Sequence, residues 1–138
     1  MFKLDPRLQQ DCVLVDDLEL CRVLLANDSQ FPWLILVPRI PDAIELTDLT
    51  DQQMRIYCDE SRLTCDVLSS LFQPTKLNVA AIGNIVRQLH VHHVARFEKD
   101  VAWPAPIWGK QPAIPYESDE LTQRLTALKH AFSAQERS

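Results

Sequence analysis

Glycine is nearly absent from this chain: Gly83 and Gly109 are the only two in 138 residues. A Walker loop and a dinucleotide-binding turn each need several glycines close together, so that backbone N–H groups can close around a phosphate. Neither can form here. Any phosphate site in this chain must be built another way.

The rest of the composition describes an ordinary folded domain, with 46% hydrophobic and 24% charged residues. We expect one domain over residues 1–138, with a core at roughly 10–110 and a C-terminal helix at 118–133; Gln135 to Ser138 look poorly tied down. The net charge of −5 comes without a Lys/Arg cluster. That excludes backbone-driven binding of a nucleic-acid polymer as the main activity. It leaves room for a single nucleotide, which a few N–H groups and imidazoles can hold. Cys12, Cys21, Cys58 and Cys65 show no C-x-x-C spacing, so they read as reduced, partly buried thiols. The N-terminus lacks a long apolar signal region, and no apolar run reaches membrane-spanning length. Both features point to the cytoplasm, without a membrane partner.

Periodicity gives the order of elements. Cys12 to Val15 and Leu20 to Ala26 are β-branched-rich runs around Asp16-Asp17-Leu18-Glu19 and read as a hairpin. Trp33 to Val37 reads as a central strand stopped by Pro38. Thr50 and Gln53 fit a capping box. Met54, Tyr57, Cys58, Cys65, Leu68 and Phe72 then predict a helix from about Asp51 to Leu71, with all six facing the core. Lys76 to Ala81 and Gln88 to Ala95 read as strands. Phe97 to Tyr116, with four prolines and two tryptophans, reads as an ordered irregular loop. Ser118 is expected to cap a last helix striped with Leu121, Leu125, Leu128 and Phe132. The order implies an α+β domain with a mainly antiparallel sheet of about five strands, a long helix and a C-terminal helix.

Three of the four histidines lie within four residues: His90, His92 and His93. Strand side chains alternate faces, so Gln88, His90 and His92 should line one face and Leu89, Val91 and His93 the other. Two imidazoles and an amide on one face suit an anion. A neutral imidazole is also a competent nucleophile toward phosphorus, and His90 could form a covalent nucleotidyl-histidine that water hydrolyses. This requires one tautomer of His90, fixed by a hydrogen bond between its second nitrogen and a backbone carbonyl. A His-x-His pair can equally hold a metal or serve packing.

The stretch from Lys76 to Arg96 resembles the core of the histidine triad (HIT) family. Asn78, Gly83-Asn84, Gln88-x-His90-x-His92 and Ala95-Arg96 stand in register with its strand Asn, its Gly-Gln turn, its His-x-His-x-His and its terminal Pro-Arg. The likeness extends upstream through Leu24 to Asn27 and Trp33 to Arg39, and covers roughly Cys21 to Trp108. It implies a HIT-like fold and a homodimer that hydrolyses dinucleoside polyphosphates or nucleoside phosphoramidates without a cofactor or catalytic metal. By position it makes His90 the nucleophile and His92 a phosphate-binding partner. Asn84 and Asn78 become phosphate contacts, and Asn27, or less surely Asp28, a ribose contact. Arg96 could meet a phosphate or form an ion pair.

Two departures stand out. Gln88 replaces the first histidine and cannot carry a proton at neutral pH. It joins His90 and His92 in the catalytic group, and Gln88→His is expected to keep or raise hydrolysis. The same substitution supports the alternative of a catalytically weak nucleotide-binding or regulatory module. His93 replaces an apolar residue and reads as a core or interface histidine. Trp33 takes the place of a family histidine and reads as core or pocket wall. Trp103 and Trp108 read as loop packing before a cover for a nucleotide or a dimer surface, Arg39 as solvated. Phe2, Leu4 and Leu8 should dock on the sheet or across a dimer.

Overall fold

The computed structural model describes residues 1–136. Arg137 and Ser138, half of the tail expected to be loosely held, lie outside the described residues; Gln135 and Glu136 continue the last helix. The elements are α1 (Pro6–Asp11), β1 (Cys12–Asp17), β2 (Cys21–Ala26), β3 (Trp33–Pro38), α2 (Asp51–Phe72), β4 (Lys76–Ala80), β5 (Val91–Arg96) and α3 (Ser118–Glu136). The five strands form one antiparallel sheet in the order β1-β2-β3-β5-β4. This is the α+β architecture expected from the sequence. Among the described residues no helix is long and apolar enough to cross a membrane.

Alternation along the strands divides the core. Val23 and Leu25 of β2, Leu34 and Leu36 of β3, and Val91 and Ala95 of β5 face one side. There they meet Val67 and Leu68 of α2 and Leu128 and Phe132 of α3. Burial of these side chains contributes about 1.5–3 kcal/mol each relative to exposure. The opposite face has two covers. Leu24, Ala26, Ile35 and Val37 lie under Leu8, Phe2 and Leu4, so the N-terminal segment docks on the sheet of its own chain. Val94 and Phe31 lie under Ala102 and Ile107 of the proline-rich loop.

Local chemistry sets the boundaries. The capping box forms as read: Thr50 Oγ1 accepts from Gln53 N and Gln53 Oε1 from Thr50 N. α2 ends with Gln73 in the left-handed region, just before Pro74. α3 starts on Ser118 itself, so the cap lies one residue earlier than expected. α1 escaped the sequence reading because it has only six residues, although Asp5-Pro6 carried its signal: Asp5 Oδ1 accepts from Arg7 N and Pro6 opens the helix.

Three expectations fail for physical reasons. Cys58 is exposed; the inward positions of α2 include Glu60 and Thr64 instead. The Glu60 carboxylate accepts from the N–H groups of Leu20 and Cys21, at 3.0 and 2.8 Å. That pairing keeps a buried acid satisfied and fastens the β1–β2 turn to the helix. Arg39 is not merely solvated. Its guanidinium donates to the carbonyls of Leu18, Glu19 and Leu20 and closes the same turn. Finally, Gln88, Leu89 and His90 are not in a strand. The β5 ladder begins at Val91, and Leu89 N donates to Ala43 O instead.

Candidate functional site

His90 and His92 lie at the gap between the two covers of the second face, each only 7% exposed. His92 lies on that face of β5, with Val94 and Arg96. His90 lies just before the strand, its ring centroid 5.0 Å from that of His92 and nearly perpendicular to it. Both rings line a cavity of about 300 Å³ together with Asn84, Val86 and Trp108. Gly83, at φ +67, turns the chain at this wall, a conformation that a Cβ disfavours. His90 also lines a second cavity of about 270 Å³, bordered by Glu45, Thr47 and Arg87.

The ring nitrogens are differentiated. His90 Nδ1 lies 2.7 Å from the Gln88 carbonyl oxygen, which can only accept. His90 therefore carries its proton on Nδ1, and in the neutral ring Nε2 keeps its lone pair. No hydrogen bond from the described residues reaches that Nε2. His92 is the mirror case. Trp33 Nε1, which can only donate, lies 3.0 Å from His92 Nδ1. Neutral His92 therefore bears its proton on Nε2. Burial, then the neighbouring His90 and His93, push its pKa down to about 3. The site thus pairs one free imidazole lone pair with one neutral N–H donor. The carbonyl lock on His90 is the one the chemistry required. The Trp33 lock has no sequence signal: an indole in a strand reads as core or pocket wall, not as a tautomer-setting donor.

A tautomer test follows. Trp33→Phe keeps an aromatic ring but removes the donor. ¹⁵N NMR should then show both His92 tautomers where the native chain shows Nε2–H alone, with a stability loss of about 1 kcal/mol. An unchanged tautomer would mean the indole does not set it.

His93 points the other way, as expected of a core histidine. It is fully buried, its Nδ1 donates to Val91 O at 3.0 Å, and its Nε2 lies 2.7 Å from Ser61 Oγ on α2. Burial lowers its pKa to about 4. His92 and His93 are thus neutral when folded, whereas unfolded histidine titrates near 6.5. Their contribution to stability is complete above pH 6.5 and is lost as pH falls toward 4 and then 3. Urea midpoints should decline steadily from pH 7 to 4.5; a flat profile would contradict this.

Of the other site residues read from the sequence, only Asn84 joins the two imidazoles at the cavity. The Gln88 amide turns to the N-terminal segment, with Oε1 accepting from Asp5 N and Nε2 donating to Lys3 O, both at 2.8 Å. Asn27 Oδ1 accepts from Tyr116 N at 3.0 Å, and Asp28 accepts from Gln30 and Ile114; both residues tie down loops and neither lines the cavity. Arg96 is 1% exposed and fully engaged with Asp100, Asn78 and Ala105, so it cannot reach a phosphate. Asn78, whose Oδ1 accepts from Arg96, belongs to that cluster as well.

The chain matches the HIT domain model over residues 7–99. It is 39% identical to a histidine triad protein of Bradyrhizobium japonicum, covering 95% of this chain and 98% of that one, with a TM-score of 0.93. It is 40% identical to one of Marinobacter aquaeolei VT8, covering 98% of each chain, with a TM-score of 0.94. The fold alone is shared with the diadenosine triphosphate hydrolase of Plasmodium falciparum, at 14% identity over 100% of this chain and 82% of that one, with a TM-score of 0.58. No curated protein matched in sequence. The domain match over residues 7–99, the shared fold and these identities fix the assignment: the chain belongs to the histidine triad family.

Proposed function

We propose that this chain is a nucleotide hydrolase that works through a nucleotidyl-histidine on His90, with dinucleoside polyphosphates as its first substrate class and nucleoside phosphoramidates as its second. The observation that carries this reading is the open Nε2 of His90, held by its Nδ1 bond and lining a cavity beside the Nε2–H of His92. In the first step Nε2 attacks the α-phosphorus. An N–P bond forms, the bond to the leaving group breaks, and the leaving group departs with its electron pair. The ring's new positive charge is steadied through Nδ1–H by the Gln88 carbonyl. The His92 donor and the Asn84 amide stabilise the phosphoryl oxygens. Water then attacks phosphorus, an O–P bond forms, the N–P bond breaks with its electron pair returning to Nε2, the surplus proton passes to solvent, and the nucleoside monophosphate leaves a neutral His90.

Neither His92, held neutral, nor the Gln88 amide offers a proton to the leaving group. That favours polyphosphate leaving groups, which depart as stable anions, over amines. The Trp108 indole N–H is buried with no partner among the described residues, at the wall of the same cavity. An acceptor brought by the nucleotide would relieve that cost of about 1–3 kcal/mol. We place the enzyme in the cytoplasm as a homodimer. β4 is an edge strand with exposed Val79, which leaves a sheet edge open to a second copy.

The test is AMP release from diadenosine tetraphosphate and from adenosine phosphoramidate, with base quenching and mass spectrometry for an adenylylated His90. Faster release from the tetraphosphate with the adduct on His90 supports the reading. AMP binding without turnover would make the chain a nucleotide-binding module instead.

A further inference from the structure

We infer that the N-terminal segment is a positioning element for His90, coupled to it through Gln88. Residues 88–90 precede the β5 ladder, so no strand pairing fixes the carbonyl that orients the His90 ring. Two other anchors do. Leu89 N donates to Ala43 O at 2.9 Å. The Gln88 carboxamide acts as a peptide-like partner for the N-terminal segment, accepting from Asp5 N and donating to Lys3 O. The backbone carbonyl of the same residue accepts from His90 Nδ1. That segment is itself held to the sheet by Phe2, Leu4 and Leu8. A continuous path therefore runs from the docked N-terminus, through one side chain, to the imidazole.

The two Gln88 bonds reverse an expectation from the sequence. An imidazole directs its two ring nitrogens apart. It cannot donate to Lys3 O and accept from Asp5 N as the adjacent atoms of an amide do. Gln88→His should therefore lose turnover, although it restores the family's histidine. A protonated glutamic acid, by contrast, copies the amide, with its O–H donating and its C=O accepting.

The kinetic consequence rests on the hydrolase reading; the geometric one does not. Four variants test both: Gln88→Ala, deletion of residues 2–4, the two combined, and Gln88→Glu. With diadenosine tetraphosphate, each of the first two should lower kcat about tenfold, as a displaced nucleophile does. KM should stay within about twofold, because the nucleotide cavity is not lined by this segment. The combined variant should be no worse than either alone, since both cut the same path. The kcat of Gln88→Glu relative to the native chain should rise as pH falls from 7 to 5. In parallel, NMR should show the His90 Nδ1 proton exchanging faster in Gln88→Ala and in the deletion. An unchanged kcat in the deletion, effects that multiply, or a loss confined to KM would overturn the coupling. If the native chain releases no AMP, the hydrolase reading falls; the Nδ1 proton still decides the coupling, and unaltered exchange refutes it.

Discussion

His90→Ala should lower AMP release from a dinucleoside polyphosphate by roughly 10⁴-fold or more, the scale seen when a covalent nucleophile is removed. Nε2 is the one ring nitrogen of the pair that keeps a lone pair toward the cavity, because the Gln88 carbonyl holds the proton on Nδ1. His92 cannot substitute, since Trp33 occupies its only unprotonated nitrogen. The adenylylated protein should vanish with the activity. The fold should persist, since the change removes one hydrogen bond and the imidazole of a residue outside the strand ladder, at a cost of about 1–3 kcal/mol. His92→Ala should behave differently. It removes a donor to the phosphoryl oxygens, worth about 10²–10³-fold, while the adduct on His90 still forms. Retained turnover in His90→Ala, with an intact circular dichroism spectrum, would exclude the covalent route.

Much of this site was legible in the sequence, because strand alternation is a rigid rule. It put His92 on one face and His93 on the other, and the structure agrees. The chemistry also asked for a backbone carbonyl lock on His90, and Gln88 supplies it, although Gln88 and His90 lie outside the ladder. What could not be read were the partners chosen by distant segments. Gln88 bonds across more than eighty residues to Lys3 and Asp5, and Trp33 reaches His92 across two adjacent strands. No local pattern encodes either contact. Asn27, Asn78 and Arg96 were placed by register with the family, and register says where a residue sits but not which neighbour claims its polar atoms. Cys58 failed for the opposite reason. Its apolar character suggested burial, yet Glu60 and Thr64 sit inside because each has a hydrogen-bond partner there.

Arg96→Met should destabilise the fold by about 3–5 kcal/mol, lowering the melting temperature by roughly 10 °C or more. The Arg96 and Asp100 side chains are only 2% and 4% exposed. Nε meets Asp100 Oδ2 at 2.8 Å, Nη1 meets Asn78 Oδ1 at 2.8 Å, and Nη2 meets Ala105 O at 2.9 Å. The guanidinium also lies 5.9 and 5.7 Å from the rings of Phe31 and Trp103. Methionine fills much of the volume but leaves the Asp100 carboxylate buried without its counter-ion. That carboxylate also accepts from the N–H groups of Phe97, Ala102 and Trp103, so the start of the loop that carries Trp108 to the cavity depends on it. A rise in nucleotide KM should therefore accompany the loss of stability. The pH dependence identifies the cause. Burial alone would raise the Asp100 pKa, but the Arg96 hydrogen bond and the loop N–H groups outweigh it and hold the carboxyl below its ordinary range. In the native chain this stabilisation is present above about pH 4 and is lost as pH falls through the lowered folded value. In Arg96→Met the carboxyl titrates higher and can shed its unpaired charge by protonation. The gap in urea midpoint between the two proteins should therefore be widest near pH 7 and narrow toward pH 4. A gap independent of pH would mean that lost packing, not an orphaned carboxylate, accounts for the damage.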